Sequence, residues 1–141
     1  MKASTKVMCF GTFDLLHLGH LNYFQQAKKH GDYLIVVIAR DQTKLRQKKK
    51  IIFNEKERLE LISNLKIVDE AVLGNPLNHL KIIMKKKPDV IVLGYDHKIK
   101  EEVLKKKLAE SNLFPKIIRA QPYKVDKHKS TKIRAVVLNS S

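Results

Sequence analysis

His17 and His20 stand three positions apart, at the head of a segment (21–27) whose apolar spacing predicts a helix. In a helical turn that spacing puts both imidazoles on one side of the chain. Leu18 and Gly19 lie between them, and Gly19 adds no side chain to obstruct an anion at the helix N-terminus. Amide N–H groups and the helix dipole attract negative charge there. Two histidines, bare backbone and a helix start suit a polyphosphate. A zinc site would need three or four ligands, and the only cysteine, Cys9, falls inside an expected strand.

The elements that must position this pair follow from the flanking sequence. Residues 7–10 form a short apolar run that reads as a buried strand, and Gly11 at its exit permits a tight turn and close approach of a ligand. Residues 33–39 are apolar without alternation, as in a strand covered on both faces of a parallel sheet. The segment between the two is long enough for a crossover helix, which makes the opening a βαβ unit. Residues 44–50 then form a basic loop, Lys44-Leu45-Arg46-Gln47-Lys48-Lys49-Lys50. Open α/β sheets bind ligands beyond the C-terminal ends of their strands, so this loop is read as phosphate-binding through Lys48 and Lys49.

Asn54 and Glu57 have the spacing of a capping box, and Leu59, Ile62 and Leu65, with Leu61 beside them, give the helix they open an apolar face. Arg58 on that helix reads from its surroundings as a surface partner of a nearby glutamate. Residues 71–73 are a third strand, and Leu77, Leu80, Ile83 and Met84 mark a third helix. Residues 90–94 form a fourth strand that exits into Tyr95-Asp96-His97-Lys98. Asp96 is placed there to contact the ribose or base of a nucleotide, whereas His97 reads as exposed and receives no role. An amphipathic helix over 101–111, carrying Val103, Leu104 and Leu108, precedes a fifth strand at 116–120. After Tyr123, Ser130 can cap a last helix with Thr131 in its first turn, a second anion site. The alternation predicts a single α/β domain over 1–141, Rossmann-like and doubly wound on a five-stranded parallel sheet. Its ligand crevice is expected beside the strand ending at Phe10.

Composition narrows the class. With 141 residues the chain can bury a real core, and no apolar run approaches a membrane span, so no membrane partner is expected. The N-terminus lacks a signal peptide's apolar core, and one cysteine cannot form an internal disulfide, which together predict a cytoplasmic protein. Lys plus Arg number 29 against 14 Asp plus Glu, a formal +15 that suits anionic partners, either nucleotides or nucleic acid. Five Phe, four Tyr and no Trp give little of the aromatic interleaving typical of single-strand binders, so nucleic acid is not expected as a partner.

The stretch G-T-F-D-L-L-H-L-G-H resembles the signature of the cytidylyltransferase-like nucleotidyltransferases, in which G-T-F-D is followed by H-x-G-H. A-R-D after the second strand, V-D-E-A-V-L-G, P-D-V-I-V-L-G-Y-D and S-T-K-I-R extend the likeness over nearly the whole chain. Glycerol-3-phosphate cytidylyltransferases end in R-T-E-G-I-S-T-T, where this chain has Lys127-His128-Lys129-Ser130-Thr131. L-I-V-V-I-A-R-D, K-P-D-V-I-V-L-G-Y-D and the Tyr123-Lys124 segment are more similar to the archaeal FAD synthases. That resemblance implies AMP transfer from ATP to FMN, by a homodimer, with a divalent cation, expected to be magnesium. It implies His17 and His20 as donors to phosphate oxygens, and Lys48 and Lys49 as neutralising cations. It also implies an Arg58 that reaches the active site. Backbone around Thr12 and Phe13, the turn with Leu18 and Gly19, Asp96, Tyr123, Ser130 and Thr131 would hold the nucleotide. The alternatives are a glycerol-3-phosphate or sugar-phosphate nucleotidyltransferase and, more distantly, a nucleic-acid-binding protein on the same fold.

Overall fold

The computed structural model describes residues 4–48 and 50–123. They alternate as β1 (Lys6–Gly11), α1 (Leu18–Lys28), β2 (Tyr33–Ile38), α2 (Asp41–Arg46), α3 (Glu55–Ser63), β3 (Glu70–Leu73), α4 (Leu80–Lys86), β4 (Val90–Leu93), α5 (Glu101–Ala109) and β5 (Lys116–Arg119). The strands form one parallel sheet in the order β3-β2-β1-β4-β5. The expected doubly wound α/β fold is therefore the observed one.

Strand periodicity divides the core in two. Val7, Cys9, Leu34, Val36, Ile38 and Val92 point to one face, where Phe24 and Ala27 of α1 and Ile62 of α3 cover them. Met8, Ile35, Val37, Ile91 and Leu93 point to the other, beneath Ile83 of α4 and Leu104 and Leu108 of α5. β1, β2 and β4 must therefore be apolar on both sides, which explains their runs without alternation. At the N-terminal ends of the strands a repeated device fixes neighbours in register. The carboxylates of Asp32, Asp69 and Asp89 accept the N–H groups of Thr5 (2.6 Å), Leu34 (2.8 Å) and Lys6 (2.8 Å) on the adjoining strand.

The boundaries differ from expectation in places. Residues 44–46 of the expected basic loop belong to α2, which is too short and cationic to show an apolar period; its one buried side chain is Thr43. Its N-terminus is held by neighbours instead: Glu55 accepts the Asp41 N–H at 2.9 Å and Asp41 accepts the Glu55 N–H at 3.0 Å. The helix expected from residue 21 begins at Leu18. Leu61, Leu77 and Val103, apolar residues of the expected helices, are exposed. Leu77 sits ahead of α4, in a turn where the Asn75 side chain accepts its N–H.

Candidate functional site

β1 pairs with β2 as far as Gly11–Ile38, but its ladder to β4 stops at Cys9–Val92. Beyond that pair the two strands part, and the Tyr23 hydroxyl enters the gap from α1. It accepts the Phe10 N–H at 3.2 Å and donates to the Val92 carbonyl at 2.5 Å, replacing the missing ladder bonds. Connections run one way from β1 and the other way from β4, so the gap marks the point where strand order reverses. Ligands of open α/β sheets bind there. Nothing in the spacing of Tyr23 along the chain marks it for this role.

The chain leaves β1 through a turn in which Phe13 adopts φ 54°, a left-handed conformation that costs a non-glycine residue about 1–2 kcal/mol. Burial of its ring offsets that cost. The ring packs beneath Gly11, against Phe24 (centroids 5.1 Å) and edge-on to His20 (5.3 Å). A Cβ on Gly11 would lie 2.4 Å from the Phe13 ring, so this position excludes any side chain. Gly11→Ala is expected to cost about 1–3 kcal/mol through overpacking. Because the displaced ring supports His20, turnover should fall by about ten- to hundred-fold. Melting curves and steady-state kinetics on the same preparation check this, and unaltered turnover would show that Phe13 does not hold the histidine.

His17 is the N-cap of α1 and has extended rather than helical backbone, yet the two imidazoles meet, with centroids 4.0 Å apart. A reciprocal capping box holds them. His17 Nδ1 accepts the Gly19 N–H at 3.0 Å, and His20 Nδ1 accepts the His17 N–H at 3.3 Å. An Nδ1 that accepts carries no proton, so both rings are the neutral tautomer with hydrogen on Nε2. Burial, with His17 nearby as the second cause, pushes the His20 pKa down to about 3. The anion site thus differs in kind from the one expected. The Gly19 amide is engaged by His17, and the imidazole Nε2–H groups are the donors this turn presents.

Arg58 is buried, 1% exposed, and not the surface residue its sequence surroundings suggested. Its guanidinium donates to the carbonyls of Phe53 (3.0 Å), Thr12 (2.8 Å) and Ala39 (2.8 Å) and to the Asp41 carboxylate (2.6 Å). It therefore joins the β1 exit, the β2 exit and the approach to α3. Asp14, also buried, adds a parallel tie by accepting the N–H groups of Ile52 (2.7 Å) and Phe53 (2.8 Å). The Arg58 guanidinium is wholly taken up by these loop contacts.

Across the gap, the loop after β4 is fixed from β5. Arg119 donates to the carbonyls of Gly94 (2.9 Å), His97 (2.7 Å) and Ile99 (2.6 Å) and pairs with Glu101. Asp96 is exposed on this loop, close enough to Tyr23 and His97 for its charge to act on both. His97 is only partly exposed. Burial lowers its pKa, against the pull of Asp96 and with help from Arg119 and Lys44. Lys44, half-buried on α2, is thus a cation of the basic segment whose charge is felt at the crevice. Lys48 is exposed beyond α2 with φ 57°. Tyr123 lies just past Gln121, whose backbone is bonded to the Gln26 amide of α1 at 2.8 and 2.9 Å. Lys49, Ser130 and Thr131 lie outside the described residues. Among the described residues no three His, Cys, Asp or Glu side chains converge as a metal cage, and no helix is long and apolar enough to cross a membrane.

A glycine turn, paired neutral imidazoles and a crevice at the strand-order reversal define a nucleotide-handling site of the phosphate-transfer class. The profile of the cytidylyltransferase-like family matches residues 8–136. The FAD synthase of Thermoplasma volcanium is 43% identical over 133 residues, 94% of each chain. That of Thermoplasma acidophilum is 41% identical over 133 residues, again 94% of each. A solved Thermoplasma volcanium structure, named a lipopolysaccharide core biosynthesis protein, superposes with a TM-score of 0.84 at 45% identity, over 86% of this chain and 99% of its own. The chain belongs to the cytidylyltransferase-like family and is a nucleotidyltransferase.

Proposed function

We propose that the chain is an FMN adenylyltransferase, transferring AMP from ATP to FMN with release of pyrophosphate. The observation that carries this is its identity of more than two-fifths to FAD synthases over nearly the full length of both chains. The site chemistry agrees. An FMN phosphate oxygen attacks the α-phosphorus of ATP in line, forming one P–O bond as the bond to the pyrophosphate oxygen breaks. No protein nucleophile or protein-borne proton acceptor is needed, so positioning and charge stabilisation carry the reaction. His17 and His20, held neutral with hydrogen on Nε2, donate to phosphate oxygens as their charge grows. Lys48, Lys49 and Lys44 on the basic segment neutralise the triphosphate. Thr12 and Phe13 line the turn beneath it with Leu18 and Gly19, while Asp96, Tyr123, Ser130 and Thr131 hold the nucleoside side. Magnesium fits as part of the substrate, since it is usually held by phosphate oxygens and water with one or two carboxylates.

A sugar-phosphate acceptor is the second reading, favoured by the name of the solved Thermoplasma volcanium relative. Incubating the protein with magnesium, one of ATP or CTP, and one of FMN, glycerol-3-phosphate or a hexose phosphate separates the readings. FAD from ATP and FMN is the expected product, with ATP preferred over CTP at least about ten-fold. A nucleotide-sugar or CDP-glycerol formed in its place would overturn the assignment.

A further inference from the structure

His97 lies one residue beyond the P-D-V-I-V-L-G-Y-D stretch and repeats the construction of the two signature histidines. Its Nδ1 accepts the Gly94 N–H at 3.0 Å, and its own N–H closes the turn on the Gly94 carbonyl at 3.1 Å. Arg119 holds its carbonyl at 2.7 Å. The accepting Nδ1 leaves the ring's hydrogen on Nε2. Nε2 has no hydrogen-bond partner among the described residues, and none of their side-chain nitrogens or oxygens is both buried and unpartnered. The Nε2–H therefore opens to solvent. Gly94 allows the fold-back, because a Cβ there would stand 3.0 Å from Nε2. The ring is edge-on to Tyr23 at 6.2 Å, beside the hydroxyl that parts β1 from β4. A fixed, uncharged donor thus stands at the crevice.

We propose that His97 selects the nucleobase, its Nε2–H donating to a purine ring nitrogen of the bound nucleotide. This rests on the nucleotide-transfer reading above. An uncharged donor adds little to the binding of a polyanion that the lysines already serve. Its strength is directional: a base edge offering no acceptor at that point would strand a half-buried N–H, and such losses discriminate strongly. The loop cannot shift to accommodate a mismatch, because Arg119 holds three of its carbonyls.

Calorimetric binding of ATP and of its 1-deaza, 3-deaza and 7-deaza analogues to the full chain, without FMN, tests the assignment. One analogue should bind the wild type about ten-fold more weakly than ATP, the scale of one lost hydrogen bond. His97→Leu should lose the same factor for ATP and nothing further for that analogue. His97→Gln, which restores an N–H donor, should recover most of it, and kcat at saturating nucleotide should stay within about two- to three-fold of wild type. Equal binding of ATP and all three analogues by the wild type would overturn the proposal. So would a His97→Leu protein weakened equally toward every ligand, or one that loses kcat at unchanged affinity. If His97→Leu does not fold, the wild-type analogue series and His97→Gln decide. ATP binding without FAD formation would count against the acceptor alone; no ATP binding at all would remove both readings.

Discussion

Replacing His17 or His20 with alanine is expected to lower kcat by about two orders of magnitude or more, the usual loss when a transition-state donor is removed. Nucleotide affinity should change far less. Each imidazole also caps the α1 turn, at 3.0 and 3.3 Å, so part of the effect comes from the partner ring losing its orientation. For that reason the double variant should be little worse than either single one. Single-turnover kinetics at saturating ATP and FMN isolate the chemical step; near-normal rates in both variants would remove the histidines from the mechanism. The pH dependence follows from the same geometry. Since the folded His20 titrates at about 3, its protonation should not lower kcat between pH 8 and 5. Between its ordinary value of about 6.5 and 3 the unfolded chain binds the extra proton, so His20 costs the fold stability as pH falls through that window and nothing above it.

Arg58→Met should unfold the site before it alters the chemistry. The substitution leaves three inward-facing carbonyls without their donor and Asp41 without its cation. Removing one partner of a buried pair costs about 3–5 kcal/mol. Asp41 is 32% exposed and water can partly replace the arginine there, so the lower end applies. At roughly 2–4 °C per kcal/mol for a chain of this size, the melting temperature should fall by roughly 6–12 °C. Arg58→Lys should recover little, since one ammonium cannot address three carbonyls and a carboxylate from one place. A melting temperature within about 2 °C of wild type would show that the guanidinium is not what joins these loops.

The sequence made some of this plain and concealed the rest for identifiable reasons. Strands buried on both faces leave unbroken apolar runs, so β1, β2 and β4 could be read directly, and the Asn54–Glu57 box marked α3 to the residue. α2 could not be read, because its N-terminus is held by Glu55 across space and no apolar period runs along it. The histidine pair was legible as a phosphate site from its spacing and the glycine between. Its mechanism was not, since the capping box that fixes the hydrogen of each ring on Nε2 depends on His17 lying just outside the helix. Tyr23 was passed over, and Arg58 could be given a place only through the family resemblance, because both work on backbone groups distant in sequence; His97 acts locally, on Gly94 three residues back. The one available signal was the spacing of Gly94 and His97, which matches the distance at which an imidazole can fold back onto a backbone amide.

Both arginine clasps grip main-chain oxygens: Thr12, Ala39 and Phe53 from Arg58, and Gly94, His97 and Ile99 from Arg119. A carbonyl is common to every amino acid. The course of the loops is therefore set independently of the side chains they display, and those side chains can be exchanged without loosening the frame. Such a frame is a ready substrate for divergence. A lineage could trade one acceptor for another by altering what the loops present, while the geometry at the phosphorus stayed as it was.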